Sequence, residues 1–223
     1  MGWFDILINL VYPSRCLLCS RVSGKGEVVC FSCKESFILG LKNSQDSIKA
    51  FNELIYLEEL YALGLYQGDF RRLLHAYKYQ GIRDLSDIFA NLLAEGINSN
   101  INKGEWVKPQ GLVPVPLHPR RLKERGFNQS ELLAEKLSPF LEIPVCKALK
   151  RVKYTQTQTR LSRGERIINL EDAFKRKITL PGVRGSSYLL IDDICTSGAT
   201  LNEAARVLKE GSSVIIYAAV LAH

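Results

Sequence analysis

The chain has 223 residues, 46% hydrophobic and 24% charged, enough for one α/β domain with a substantial core and a small appendage but short for two full domains. That balance excludes a mostly disordered chain. Lys and Arg number 30 against 23 Asp and Glu, a formal net charge of +7 that favours anionic partners over basic ones.

Residues 2–12 read as a short amphipathic helix stopped by Pro13. The apolar start from Trp3 to Tyr12 is interrupted by Asp5 and lacks a basic leader, and no stretch approaches the length of a membrane-spanning helix. The expectation is a protein without membrane insertion in the reducing cytoplasm, where clustered cysteines bind metal more often than they form disulfides. Cys16-Leu-Leu-Cys19 and Cys30-Phe-Ser-Cys33 give two C-x2-C pairs separated by ten residues that include Gly24 and Gly26. Two such knuckles can present four thiolates at the corners of a tetrahedron and close a structural Zn²⁺ off from water; paired disulfides are the alternative. So small a segment has little core of its own, so the metal would supply folding energy. A helix over Glu35–Leu41 closes it, and the polar stretch Lys42 to Lys49 reads as a linker. The expected division is a zinc module at 1–45 and a larger domain at 50–223.

In the larger part the pattern predicts a strand at Tyr61–Tyr66, a helix at Asp69–Tyr79 stopped by Gly81, and a helix at Leu85–Ile97 broken by the polar run Asn98 to Lys103. A short buried strand at Gly111–Pro116 leads into a helical segment at His118–Arg125, and Gly126 separates it from a helix at Gln129–Leu137. A strand is expected at Ile143–Leu149, then a polar, basic loop from Lys150 to Arg166, long enough to be a functional lid or disordered. The final third reads as strand Tyr188–Ile191, helix Leu201–Lys209 and strand Ser213–Leu221, a βαβ unit that demands a parallel sheet. Between His118 and Arg166 stand twelve Lys or Arg and five Glu, so this region carries the whole positive excess. Such a field suits a pyrophosphorylated metabolite or a nucleic-acid backbone; a solvated basic face is the plainer reading.

The segment that carries chemistry is Tyr188-Leu-Leu-Ile-Asp192-Asp193-Ile-Cys-Thr196-Ser197-Gly198-Ala199-Thr200. A buried parallel strand delivers its C-terminal end to the crevice where open α/β sheets bind ligands. Adjacent carboxylates there suit two vicinal ribose hydroxyls. Gly198 permits close backbone approach, while the hydroxyls of Thr196, Ser197 and Thr200 and the free N–H groups of a helix start, Ala199 among them, can surround a phosphate. A 5-phosphorylated ribose fits both halves. A charged turn followed by an ordinary helix cap would explain either half alone, and a P-loop would need a Lys after the glycine. Cys195 reads as a small apolar residue, and His75 and His118 lack metal-ligand spacing.

This run closely resembles the phosphoribosyltransferase fingerprint. Together with the four cysteines, Lys78-Tyr79-Gln80-Gly81, Pro114-Val115-Pro116 and Arg125-Gly126-Phe127-Asn128-Gln129, it resembles the ComF family, bacterial proteins linked to natural competence and DNA uptake, over nearly the whole chain. The resemblance implies a type I phosphoribosyltransferase fold, an α/β architecture whose mainly parallel sheet is flanked by helices. It implies phosphoribosyl diphosphate as ligand with Mg²⁺, and Asp192 and Asp193 at the catalytic centre. It also puts Arg120 and Arg121, after Pro119, at the pyrophosphate, and makes the loop Lys150 to Arg166 a lid. There Arg151, Lys153, Arg160 and Arg163 would screen charge or meet nucleic acid. Three functions stay open: transfer of ribose C1 to a nucleobase-like acceptor, binding of single-stranded DNA during uptake alongside machinery such as a helicase, and regulation by sensing phosphoribosyl diphosphate. The resemblance suggests that such work happens at the cytoplasmic side of the membrane.

Overall fold

The computed structural model describes residues 14–24, 26–42, 47–48, 54–154, 170–181 and 185–223. The helix expected over residues 2–12 lies outside them. The cysteine segment makes two turns tied by the Arg15–Val22 bridge and runs into helix α1 (Phe31–Lys42). This helix begins a turn earlier than Glu35, because the second cysteine pair is itself wound: the Lys34 N–H donates back to the Cys30 carbonyl at 2.9 Å.

The strands are β1 (Ser47–Ile48), β2 (Leu60–Gly64), β3 (Leu112–Pro114), β4 (Leu149–Arg151), β5 (Phe174–Arg176), β6 (Ser187–Ile194) and β7 (Ile215–Ala222). The remaining helices among the described residues are α2 (Gly68–Tyr79), α3 (Leu85–Asn102), α4 (Pro119–Arg125), α5 (Gln129–Leu141) and α6 (Ala199–Lys209). Among the described residues five strands form one sheet in the order β1-β2-β7-β6-β3, parallel except for the edge pair β1–β2, while β4 and β5 form a separate antiparallel ribbon. The βαβ unit is β6-α6-β7, in parallel register from Ser187–Ile215 to Ile194–Ala222.

Both faces of the sheet are covered, so its strands are nearly continuous apolar runs. Alternation sorts them: Leu189, Ile191, Tyr217, Ala219 and Leu221 face a core shared with α2, α3 and α5. Their neighbours Tyr188, Leu190, Ile216, Ala218 and Val220 face α6 and the β4–β5 ribbon. The cysteine segment joins the first core, where Cys16, Val29 and Leu41 are buried and the Phe37 and Phe70 rings meet edge-on at 5.4 Å. The polar stretch expected as a linker lies partly outside the described residues, and its Ser47 and Ile48 pair with Tyr61 and Leu60.

Two elements depart from the pattern. Helix α3 runs through Asn98 to Asn102 rather than breaking there. Ile97 and Ile101 extend its apolar face, and the buried Asn100 turns its carbonyl to the Glu105 and Trp106 N–H groups. The strand expected at Ile143–Leu149 shrinks to a bridge at Val145, where Leu112 N–H meets the Pro144 carbonyl and Cys146 N–H the Leu112 carbonyl. Pro144 has no N–H to extend a ladder, and the chain leaves the sheet to build β4.

The contact between α3 and β2 allows no side chain at one point. A Cβ on Gly96 would stand 2.0 Å from the Tyr61 hydroxyl oxygen, at the rigid end of a ring only 4% exposed. Gly96→Ala should therefore cost about 1–3 kcal/mol as an overpacking change, read as a lowered thermal midpoint, and the same change should cost less in a Tyr61→Ala background, as a double-mutant cycle would show. An unchanged midpoint in Gly96→Ala would contradict this packing.

Candidate functional site

Strands β3 and β6 are parallel neighbours, so both send their C-terminal ends to the same edge of the sheet. Beyond β6 the chain turns through Thr196 and Ser197 to Gly198, the residue before α6, which holds φ at +75°. That dihedral strains any other residue, and a Cβ there would stand 2.5 Å from Leu54 Cδ2, so the leucine tip would have to move aside. Residues from Ile194 to Leu201 line a cup of about 30 Å³, into which the unpaired N–H groups and partial positive charge of a helix start are delivered.

The acidic pair is held from two other elements. Asp192 accepts from Ser130 Oγ on α5 at 2.8 Å and from the Asp193 N–H at 2.9 Å. Asp193 is ion-paired with Lys78 of α2, Nζ to Oδ1 at 3.0 Å, with the two side chains only 13% and 12% exposed. Burial and the charge of Asp193 push the Asp192 carboxyl up, to about 7, against the opposing pull of Ser130, the Asp193 N–H and Lys78.

The end of β3 supplies the cationic side. Val115 is fixed by its N–H to the Ile191 carbonyl and by Asn128 Nδ2 to its own carbonyl. The chain then enters α4, capped by His118, whose Nδ1 accepts from the Arg120 N–H. Arg120 and Arg121 both lie over the Tyr154 ring, at 4.8 and 5.9 Å, and the His118 ring meets it edge-on at 5.2 Å. Tyr154 thus docks the start of the expected lid on the arginine arm. A cleft of about 300 Å³ lies between them, lined by Lys78, Tyr79, Arg121, Glu124, Arg125 and Tyr154.

The structure therefore gathers Asp192, Asp193, the loop Thr196 to Thr200, Arg120 and Arg121 at one edge. Arg151 on β4 belongs with them: burial and then Arg121 lower its pKa, while Asp192 raises it. Lys153 donates to the Glu171 carbonyl. Arg160 and Arg163 lie outside the described residues. Sequence reasoning gave Lys78 and Ser130 no role. Lys78 opens one of the motifs noted there, but nothing in its local pattern shows that it reaches Asp193; Ser130 carries no signal beyond following Asn128-Gln129.

The four Sγ atoms of Cys16, Cys19, Cys30 and Cys33 lie within 4.8 Å of one another, Cys19 and Cys30 at 3.7 Å. Tetrahedral thiolates at about 2.3 Å from a metal stand about 3.8 Å apart, so the cluster could hold a metal ion. Burial pushes the Cys16 thiol up, but backbone N–H groups of Cys19, Cys30 and Leu18 outweigh it and lower it to about 6. Hydrogen bonds with the Cys30 and Cys19 thiols hold Cys33 up, at about 12. Among the described residues Cys146 and Cys195 stand outside the cluster, and no helix is long and apolar enough to cross a membrane.

Comparison with known proteins agrees with this edge. The family described as phosphoribosyl transferase domain matches residues 127–223, the stretch that carries Ser130, the acidic pair and the loop Thr196 to Thr200. Competence protein F of Haemophilus influenzae is 32% identical over 154 residues, 69% of this chain and 67% of that protein. The chain belongs to the ComF family. Within the family, DNA utilization protein YhgH of Escherichia coli is 29% identical over 206 residues, covering 90% of this chain and 86% of that protein. Competence protein ComFC of Bacillus subtilis is 29% identical over 201 residues, 82% and 79% of the two chains. The phosphoribosyltransferase-type fold and the cysteine cluster of this ComF chain are thus part of one architecture.

The raised Asp192 carboxyl has a measurable consequence. Because the folded state holds its proton above the ordinary value of 3.8, low pH favours the fold, and stability is lost as pH rises from about 4 through about 7 and the group ionises. Asp192→Asn keeps an acceptor for Ser130 without the charge. The ligand-free variant should be more stable than wild type at pH 8, by about 1–2 kcal/mol, with the gap closing toward pH 5. Chemical denaturation at the two pH values tests it; a less stable variant at pH 8 would contradict the assignment.

Proposed function

We propose that this ComF chain binds phosphoribosyl diphosphate with Mg²⁺ at the C-terminal edge of β6 and β3 and serves DNA uptake, taking single-stranded DNA on the basic surface beside that site. The observation that carries the reading is the meeting, on one strand end, of an acidic pair, Asp193 buried and Asp192 partly so, with a glycine-opened phosphate cup, and of both with an arginine arm from the neighbouring strand. Asp192 and Asp193 would accept from the two ribose hydroxyls. The cup from Thr196 to Thr200 would take the 5-phosphate. Arg120 and Arg121, with Arg151 behind them, would meet the pyrophosphate, whose charge Mg²⁺ neutralises when bound. The DNA part draws on the relatives' names and on the ring and guanidinium groups around Tyr154, since stacking faces with basic side chains are what single strands need. Arg160 and Arg163 extend that surface in the proposal, as do partners among the uptake machinery, a helicase included. The four cysteines hold a structural Zn²⁺ in a module ending near residue 45, ahead of the phosphoribosyl domain.

Transfer of the ribose to a nucleobase-like acceptor is the second reading, favoured by the cleft of about 300 Å³ that adjoins Lys78 and Arg121. Release of labelled pyrophosphate in a screen of nucleobases separates turnover from binding alone.

Calorimetric titration should show Mg²⁺-dependent binding of phosphoribosyl diphosphate, weakened about tenfold or more in Asp193→Ala by the loss of charge-assisted hydrogen bonds. Equal affinity in the variant would reduce the acidic pair to a turn. Single-stranded DNA should compete with the nucleotide, and its binding should weaken with a salt slope of about −2 to −3 if three or four phosphates are neutralised. DNA affinity that ignores both salt and the nucleotide would remove the single-strand proposal. Purified protein should carry about one zinc per chain, lost on Cys19→Ser; metal-free protein with reversible disulfides would overturn that assignment.

A further inference from the structure

Helix α2 ends in Lys78-Tyr79-Gln80-Gly81, and the backbone at that end is clamped to the start of α5. The Tyr77 hydroxyl donates to the Gln129 carbonyl at 2.8 Å, and Gln129 Nε2 donates to the Lys78 carbonyl at 3.2 Å. The next residue, Ser130, holds Asp192. One short segment thus fixes both the root of the Lys78 side chain and the acidic pair it reaches.

The head of that side chain is held by one ion pair. Its Nζ sits 3.0 Å from Asp193 Oδ1, and Lys78 also lines the cleft that holds Arg121 and Arg125 against the single carboxylate of Glu124. A lysine offers a compact ammonium on a flexible four-carbon stem, so the head can turn from carboxylate to cleft while α2 stays in place. The same carboxylate is what a ribose diol needs. Hydroxyl donors and the ammonium compete for Asp193, and an enclosed ammonium set free without a new anion would lose its compensation at considerable cost.

We infer that Lys78 is a resident counter-ion: it neutralises Asp193 in the empty site and passes to the pyrophosphate end of the ligand when the ribose hydroxyls take the carboxylate. This rests on the phosphoribosyl reading above and adds a selectivity to it. A ligand with both ends, diol and pyrophosphate, completes the exchange. Ribose 5-phosphate, which has the diol and the 5-phosphate alone, displaces the ammonium and gives it nothing in return. Lys78 therefore sets the preference for the diphosphorylated ligand.

The test is calorimetric titration of wild type and Lys78→Met with phosphoribosyl diphosphate and with ribose 5-phosphate, both with Mg²⁺, after thermal melting has confirmed folding. The expected result is a preference for the diphosphate that falls about tenfold or more in the variant, the scale of one lost charge-assisted hydrogen bond. Ribose 5-phosphate affinity should hold or rise as its competitor disappears, and Lys78→Arg should recover most of the preference. Equal loss of both ligands would make Lys78 a structural strut, and no change in either would remove it from the site; each result overturns the inference. Lys78→Gln, which keeps a neutral donor toward Asp193, repeats the measurement if the methionine variant does not fold. Wild type that binds neither ligand refutes the phosphoribosyl reading itself, a failure visible before any variant is compared.

Discussion

Two adjacent carboxylates at the end of a buried strand are a standing cost, and much of the architecture at this edge answers it. Burying charge without compensation is far more expensive than burying a hydrogen-bonded or ion-paired group. Here the compensation comes from elements far apart in sequence: Ser130 on α5 serves Asp192 and Lys78 on α2 serves Asp193. Neither partner reaches the site unless α2 and α5 pack together on one face of the sheet. The buried Tyr77 secures that packing, with its hydroxyl on α5 and its ring against Phe89 and Phe127 at 5.7 and 5.9 Å. The core and the site are therefore one construction, and Asp192, left with a raised carboxyl, carries the residual strain that a ligand would relieve.

The cysteine cluster enters the same construction from the other end of α2. Arg72 donates to the carbonyls of Leu17 and Leu18 in the first knuckle, at 3.0 and 3.1 Å, and Phe37 of α1 packs on Phe70 of α2. A metal that fixed the two knuckles would also fix the surface on which α2 lies. In this arrangement the knuckles are a buttress for the helix that bears Lys78, whatever further partner they meet.

Much of this was legible in the sequence, because the relevant signals are local. The run from Tyr188 to Thr200 names its own strand, acids, glycine and helix start, and the cysteine spacing names its cluster. What escaped was set by tertiary contact. The polar turn at Asn98 to Asn102 stays helical because Asn100 and Ile101 find partners in the core, which no count of polar residues shows. Val145 loses its strand to a proline neighbour and to the pull of the β4–β5 ribbon. Lys78 lies 115 positions from Asp193 in the chain, so its pairing is a property of the fold. The grouping of Arg120, Arg121 and Tyr154 is likewise readable as a basic region in sequence, but only the fold brings the two guanidinium groups over the ring and the imidazole edge-on to it.

The central claim is that the loop after β6 is a phosphate cup. Its most direct test is the ³¹P resonance of the 5-phosphate of phosphoribosyl diphosphate, resolved from the two pyrophosphate resonances and followed with Mg²⁺ as protein is added. The account predicts that wild type shifts or broadens the 5-phosphate signal and that Gly198→Ala, whose Cβ would strike Leu54 and force a left-handed backbone on a non-glycine residue, leaves it nearly unmoved. Equal perturbation of that signal by both proteins would show that the 5-phosphate is held elsewhere and would contradict the account.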